Sequence, residues 1–119
     1  MALHWKKLKV WQKPHALVLE VYRITTKFPK TETYGLVDQI KRASCSIPSN
    51  IVEGQSRNTT KEYLNFLYMA RGSLEELRYF LLLSKDLTFL DAEVYGGMEK
   101  ECEEISLMLN GLIKSLKSK

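Results

Sequence analysis

Histidine and cysteine are the residue types through which this sequence could most readily perform catalysis or bind a metal. His4 and His15 lie in the basic N-terminal region, and neither has a spacing to acids or thiols typical of a metal site or a catalytic triad. Cys45 and Cys102 are isolated from each other and from any histidine, so free buried thiols are the simplest interpretation. The acids near the C-terminus lack the Glu-x-x-His pairs of a di-iron bundle. We therefore predict no catalytic residues, no metal, no other cofactor and no enzymatic activity.

A stripe of polar side chains occupies one face of a predicted helix in the middle of the chain. Its members recur every three or four residues, and they are Gln39, Arg42, Ser46, Asn50 and Glu53. One hypothesis is a recognition strip for RNA or a protein partner, with Arg42 on a phosphate and Gln39 and Asn50 making directed hydrogen bonds. The other is a polar contact between helices or subunits, in which Glu53 is balanced by Arg42 or Arg71. We favour the second.

Positive charge is concentrated in the first half of the chain. Residues 1–61 contain 11 Lys and Arg against 4 Asp and Glu, a net charge of +7, whereas residues 62–119 contain 7 against 10, a net charge of −3. This division fits an anionic partner such as RNA, and it fits mutual neutralisation of the two halves equally well. If RNA binds, the leading candidates for phosphate contacts are Lys9, Lys13, Lys41, Arg42 and Arg57.

Aromatic and basic residues alternate near the N-terminus. Trp5 and Trp11 are interleaved with four nearby lysines, a pattern typical of single-strand nucleic-acid binders. An N-terminal arm anchored by its tryptophans would give the same pattern. Both interpretations stay open.

Turn residues divide the chain into four helical segments. The first is predicted over residues 10–27 and begins near Trp11, so that Pro14 falls within the first turn, where backbone N–H groups lack an intrahelical acceptor. The second is predicted over residues 36–54. Pro48 lies deep inside it and removes one backbone hydrogen bond, which predicts a kink.

The third and fourth segments have clear starting residues and long apolar seams. Thr59 with Glu62 three residues later is the signature of a capping box, and Asp91 is a suitable N-cap for the fourth helix. The third seam is Leu67, Ala70, Leu74, Leu77, Leu81 and Ser84. The fourth seam is Val94, Met98, Cys102, Ile105, Leu109, Leu112 and Leu116.

These segments predict an all-α fold, an antiparallel up-down-up-down four-helix bundle with its second helix kinked at a proline. The 119 residues fit a single domain, 1–119, that begins with a basic N-terminal arm, 1–9. Residues 79–83 are apolar around the whole helix axis, so a single copy would expose part of them and self-association is expected. Neither a membrane span nor a convincing signal peptide is found, which predicts a cytoplasmic protein without membrane contact.

Several blocks of the sequence resemble one bacterial family. The central blocks are Tyr34-Gly35-Leu36, Gln39, Lys41-Arg42-Ala43, Ser46-Ile47-Pro48, Asn50-Ile51 and Glu53-Gly54. Further blocks are Val10-Trp11-Gln12-Lys13, Phe66-Leu67, Ala70-Arg71-Gly72-Ser73-Leu74, Glu76-Leu77 and Leu109-Asn110-Gly111-Leu112-Ile113. Together they resemble the four-helix-bundle proteins encoded in intervening sequences of large-subunit (23S) ribosomal RNA genes. The likeness covers nearly the whole chain.

The resemblance implies a non-catalytic homo-oligomer, a pentamer of bundles, whose suggested ligand is structured RNA. A related fold serves as the accessory protein of diversity-generating retroelements, which engages a reverse transcriptase. We therefore expect a homo-oligomeric scaffold that binds RNA through its basic N-terminal half. The alternative is an adaptor or accessory subunit that holds a protein partner, such as a reverse transcriptase.

Overall fold

The structure, a computed structural model, describes residues 4–119, and throughout that range its regular secondary structure is helical. The four α-helices of this range are α1 (Lys9–Thr25), α2 (Leu36–Gln55), α3 (Thr60–Asp86) and α4 (Ala92–Lys117). Short 3-10 turns, Trp5–Lys7 and Lys30–Glu32, precede α1 and α2. No strand occurs between residues 4 and 119, which agrees with the predicted all-α class and with a four-helix bundle. Residues 1–3 of the predicted N-terminal arm lie outside the described range.

The starts of α3 and α4 confirm the predicted caps. The Thr59 hydroxyl accepts a hydrogen bond from the Glu62 amide at 3.1 Å, and the Asp91 carboxylate accepts one from the Val94 amide at 2.9 Å. Each bond satisfies a backbone N–H that has no acceptor within its own helix. These boundaries could be read from the sequence because a cap involves only residues that are neighbours along the chain.

The C-terminal end of α3 carries no such sequence signal. Thr88 has a φ of 67° and forms the left-handed residue of a closing turn, in which Phe89 N donates to Ser84 O at 2.9 Å. Glycine is the usual residue at this position because a β-branched side chain is strained there. The turn ends the helix and redirects the chain toward α4.

The core confirms the predicted seam of α3 and shifts that of α4. All six seam residues of α3 are buried. In α4 the four central positions from Met98 to Leu109 are buried, but the next buried residue is Ile113 instead of Leu112, and Val94 is exposed. A helix has 3.6 residues per turn, so its buried face drifts away from a strict seven-residue repeat over this length.

The position of Pro14 differs from the prediction. Helix α1 begins at Lys9, which makes Pro14 the sixth residue of the helix and places it beyond the first turn. The earlier start arises because the extended Leu8 carbonyl accepts hydrogen bonds from Trp11 N and Gln12 N, at 3.0 and 2.9 Å. Pro14 is buried, so packing of its ring offsets the hydrogen bond that it removes.

The second proline lies inside a helix that continues past it. Helix α2 extends without interruption from Leu36 to Gln55, and Pro48 is one of its buried residues. No helix between residues 4 and 119 is long and apolar enough to cross a membrane.

Candidate nucleic-acid interface

Three of the five basic residues selected as phosphate contacts form ion pairs with acidic side chains. Lys13 Nζ lies 2.9 Å from Glu104 Oε2 and 3.6 Å from Glu101 Oε2, which joins α1 to α4. The hydrogen bond between Lys13 and Glu104 raises the pKa of the lysine and lowers the pKa of the carboxyl. Lys13 stays charged and bridges two helices, so a phosphate would have to compete with two glutamates for it.

The two arginines among those candidates pair with acids one turn away. Arg42 Nε donates to Asp38 Oδ2 at 2.9 Å, and Arg57 Nη2 lies 3.6 Å from Glu53 Oε2. Both arginines are exposed, so a strongly anionic ligand can compete with these weak surface pairs. The Arg57 guanidinium also lies over the Phe66 ring at 4.6 Å, which holds it at the α2–α3 junction.

The two remaining candidates are lysines at different places in the fold. Lys9 is the first residue of α1 and is exposed. Lys41 is half-buried in α2, where its Nζ lies 4.6 Å from the centre of the Tyr22 ring of α1. The five candidates therefore do not form one cluster.

The polar stripe of α2 divides into a half-buried part, Ser46 and Asn50, and an exposed part. The hydroxyls of Ser46 and Ser73 are 2.8 Å apart and link α2 to α3, while Asn50 Nδ2 donates to the Ser46 carbonyl at 2.7 Å. Gln39, like Arg42, is exposed. The central residues thus make a contact between helices, while the Gln39 end faces solvent.

The predicted partner of Glu53 is wrong. Its ion pair is with Arg57, four residues further along the chain, and neither Arg42 nor Arg71 takes part. Arg42 is held by Asp38 instead. An arginine four residues along the chain needs no tertiary contact to reach the carboxylate, which explains why these local pairs form, with Arg42 inside α2 and Arg57 just beyond its end.

Arg71 contributes to a furrow between α3 and α4. Its Nη1 donates to Asn110 Oδ1 at 3.1 Å, and its guanidinium lies 5.2 Å from the centre of the Tyr68 ring. Toward the C-terminus of α4 a cavity of about 360 Å³ is lined by Arg71, Asn110, Ile113, Lys114, Lys117 and Ser118. Arg71 and Asn110 also line an adjoining cavity of about 490 Å³. The furrow therefore brings together cations of two helices.

A second guanidinium in the furrow has a different environment. Arg78 donates to Glu75 at 3.1 Å, to Glu103 at 3.2 Å and, through two nitrogens, to Glu99. The bond with Glu99 is the main cause of the raised pKa of Arg78. Three carboxylates around one cation leave this part of the furrow net negative, so it repels an anionic ligand.

The sequence analysis missed Arg78, Asn110, Lys114 and Lys117. The last three recur at intervals of four and three residues, which places them on one face of α4. That spacing alone does not indicate which ligand the face would bind. Arg71 stands opposite them only after α3 and α4 have packed together. The furrow could not be found from either helix separately.

The N-terminal arm packs against α1 from His4 onward. The rings of Trp5 and Trp11 are 4.8 Å apart, those of Trp11 and His15 are 4.7 Å apart, and Gln12 Nε2 donates to Lys6 O at 2.9 Å. Anchoring of the arm therefore accounts for its tryptophans. Among the residues of the described range, no group of three or more potential ligands could hold a metal ion.

Comparison with known proteins finds one matching family and a similar solved structure. The family described as 23S rRNA-intervening sequence protein matches residues 6–111. The chain belongs to this family. A solved structure from Bacteroides thetaiotaomicron, a protein of unknown function from the S23 ribosomal protein family, superposes with a TM-score of 0.80 at 23% identity, over 88% of this chain and 98% of that chain.

The family assignment confirms the resemblance found in the sequence. At 23% identity the Bacteroides structure supports the helical fold of the 23S rRNA-intervening sequence family and nothing about its activity. A comparison with curated proteins finds no match. Function must therefore be argued from the residues of the chain itself.

Proposed function

We propose that this family member is a non-catalytic, homo-oligomeric scaffold that binds RNA through lysines and arginines at one end of an antiparallel four-helix bundle. The observation that carries the proposal is the set of contacts between helices, which brings cations of α1, α3 and α4 to the same end as Arg57 of the loop after α2. Positive charge is thus concentrated at one end of the bundle axis. This distribution differs from the division between the two halves of the sequence.

Pairs of contacts support the antiparallel order for α2, α3 and α4. Between α2 and α3, the Ser46 hydroxyl contacts the Ser73 hydroxyl, and Gln55 donates to the Tyr63 hydroxyl at 2.6 Å. Residue numbers in these contacts therefore rise along α2 as they fall along α3. Between α3 and α4, Arg71 meets Asn110 and Arg78 meets Glu99. Both sets of contacts support the proposed antiparallel arrangement.

The same rule extends to α1. Lys13 contacts Glu104, whereas Leu17 and Glu20 line one cavity with Val94 and Met98. These pairings support the up-down-up-down order that we propose, and within it we propose a kink of α2 at Pro48, where the proline ring removes a backbone hydrogen bond.

In this arrangement the starts of α1 and α3 share one end of the bundle with the ends of α2 and α4. We call this the basic end, and its eight cations are Lys6, Lys7, Lys9, Arg57, Lys61, Lys114, Lys117 and Lys119. The acids of the same segments are Glu53 and Glu62. Apart from Arg57, none of the eight lies within 4.0 Å of a carboxylate oxygen of residues 4–119. This excess attracts the phosphate backbone of RNA.

The proposal revises the candidates chosen from the sequence. Lys9 and Arg57 belong to the basic end, whereas Lys13 is engaged by two glutamates. Lys41 and Arg42 belong to the opposite end. Cations without a close acidic partner are favoured because a phosphate then displaces only water and mobile counterions.

Self-association is supported by apolar side chains that a single copy leaves in water. Tyr34 is 96% exposed, Leu107 65%, Tyr79 59% and Leu19 55%. A pentamer is the assembly implied by the family resemblance, and a ring of copies would shield such side chains through repeated contacts. Multi-angle light scattering should give the mass of an oligomer at micromolar concentration, and a single-subunit mass would contradict the scaffold.

RNA binding is tested by its dependence on salt. Fluorescence polarisation with a labelled uridine decamer should show affinity falling steeply between 50 and 200 mM salt, with a log–log slope of about −0.7 for each phosphate neutralised. The double variant Lys9→Gln/Lys117→Gln should lower the magnitude of the slope by about 1.4 through loss of two contacts.

The matched control removes two charges from the opposite end. Lys27→Gln/Lys30→Gln has the same net charge as the first variant, and we expect its slope to equal that of the wild type. A flat salt response of the wild type would contradict RNA binding. Equal losses in the two variants would contradict the basic end.

An adaptor function is the alternative, favoured by the exposed residues near the start of α2. Tyr34, Gln39 and Arg42 all face solvent there and combine aromatic, amide and cationic groups, as protein interfaces do. In this alternative a protein partner, such as a reverse transcriptase, covers the surface. Recovery of one partner after nuclease treatment, with loss of that partner in Arg42→Glu, would favour it.

A further inference from the structure

We propose that the α3–α4 furrow holds a backbone phosphate of the bound RNA between Arg71, Lys114 and Lys117, with Asn110 as the positioning residue. This inference rests on the proposed function and gives the basic end a defined binding site. Its chemistry is recognition of a phosphate group by one guanidinium and two ammonium groups, donors that suit phosphate oxygens.

Arg71 is oriented before any ligand arrives. One of its five N–H groups donates to Asn110 at 3.1 Å, and its guanidinium lies 5.2 Å from the centre of the Tyr68 ring. The Asn110 amide is fixed in turn, because its Nδ2 donates to Ser106 Oγ at 3.4 Å. The remaining N–H groups of Arg71 are therefore held in place for two parallel hydrogen bonds to one phosphate.

The shape of the furrow gives a phosphate room to enter. The cavity of about 360 Å³ that Lys114 and Lys117 line is large enough for a phosphate and part of its sugar.

The charges along the furrow restrict where the anion can lie. Arg78 and its three carboxylates, two turns of α3 away, carry a net charge of −2. The separation of Arg71 and Arg78 along the helix is about 10 Å, close to the Debye length at 0.1 M salt. The negative segment therefore repels phosphate from one part of the furrow and leaves the segment from Arg71 to Lys117 as the site.

The test measures the affinity of the uridine decamer for single variants of the full chain. Arg71→Gln should bind about tenfold more weakly, since it loses charge-assisted hydrogen bonds to phosphate. Asn110→Ala should weaken binding about threefold with an unchanged salt slope and an unchanged urea midpoint, because it removes orientation but no charge. Lys30→Gln serves as the control and should stay within about twofold of the wild type.

The outcomes separate this inference from the proposed function. If the wild type binds the decamer with a steep salt slope while Arg71→Gln and Asn110→Ala match it, the furrow assignment is wrong and the basic end stands. If the wild type does not bind, both fail. A lowered oligomer mass in Arg71→Gln with unchanged affinity would make the furrow a contact between subunits and overturn the inference.

A competitor distinguishes RNA from a small phosphate ligand. Uridine monophosphate at the same phosphate concentration as the decamer should not displace it, because the decamer neutralises several cations at once. Displacement at equal phosphate concentration would assign the furrow to a mononucleotide and contradict its role as an RNA site.

Discussion

Gly54 allows α2 and α3 to approach each other without a side chain between them. A Cβ built on it would lie 2.7 Å from Tyr63 Cδ1 and 3.0 Å from Phe66 Cβ, both closer than packing permits. We expect Gly54→Ala to lower the free energy of unfolding by about 1–3 kcal/mol, as overpacked sites do. Urea unfolding followed by circular dichroism measures this change.

Gly96 provides the matched control for that substitution. No atom of residues 4–119 outside its own helix lies within 4 Å of the position that a Gly96 Cβ would take. Gly96→Ala should therefore raise the free energy of unfolding by about 1 kcal/mol through helix propensity. A loss of stability in both variants would show that steric room does not decide the difference.

The space around a glycine could not be predicted from the sequence. A glycine in mid-helix, such as Gly72, is typical of close backbone approach, yet nothing in the described chain packs against it. Gly54 marks the predicted end of the second helix, but the structure buries it against α3. Steric room is set by a different helix, and the residue type does not report it.

Cys102 makes stability depend on alkaline pH. Burial raises the pKa of its thiol to about 12 from an ordinary value of 9.0. Between these values the unfolded chain has lost the proton that the folded chain retains, so the free energy of unfolding falls as pH rises. The fall due to this thiol is at most about 1.4 kcal/mol per pH unit.

Cys102→Ala separates this effect from other titrating groups. The variant should be about 1 kcal/mol less stable than the wild type at pH 7.5 because of the small cavity, and the difference should shrink by pH 10. Urea unfolding at both pH values gives the two differences. A difference that stays constant with pH would contradict a protonated buried thiol.

At the scale of helices, Arg78 joins α3 to α4 through three carboxylates. Its side chain is mostly buried, and its removal leaves Glu75, Glu99 and Glu103 to repel one another. We expect Arg78→Met to lower the free energy of unfolding by about 2 kcal/mol, as loss of charged hydrogen bonds does. Urea unfolding at pH 7 tests this expectation.

The control for Arg78 is an arginine pair on the surface. Arg23 pairs with Glu20 of the same helix at 2.8 Å, and both are well exposed. Arg23→Met should change stability by less than about 0.5 kcal/mol. Similar losses in the two variants would mean that Arg78 does not hold the helices together.

Helix boundaries were predictable where local residues determine them. Thr59 and Asp91 cap α3 and α4 through hydrogen bonds that span three residues, so both were found from the sequence. The start of α1 was missed because the prediction required Pro14 to lie in the first turn. The left-handed conformation of Thr88, just beyond the end of α3, was not predicted because threonine is an uncommon residue in a left-handed turn.

For the whole molecule, the distribution of charge depends on how the helices are ordered. The sequence divides into a basic first half and an acidic second half, but Lys114 and Lys117 belong to the second half and join the basic end only in an antiparallel bundle. Lys13 is neutralised by Glu104 of the other half. This ion pair supports mutual neutralisation for Lys13, while the anionic partner stays a prediction.

The fold class was predictable as a whole because four apolar seams and their caps are local patterns. The proposed site was only partly predictable, since Lys9 and Arg57 were among the candidates chosen from the sequence while Asn110, Lys114 and Lys117 were not. The function proposed for these three residues requires contacts between α3 and α4. An interface built from several helices is visible only after their packing is known.

Cross-linking of the chain to RNA tests the central claim most directly. Formaldehyde treatment of the complex with a ten-nucleotide RNA of mixed sequence forms methylene bridges between lysines and the amino groups of adenine, guanine and cytosine, and mass spectrometry then locates the lysines that touch RNA. The account predicts cross-links at Lys6, Lys7, Lys9, Lys114 and Lys117, and few at Lys27 and Lys30. Cross-links concentrated at Lys27, Lys30 and Lys41, or none above a control with a neutral oligomer, would contradict it.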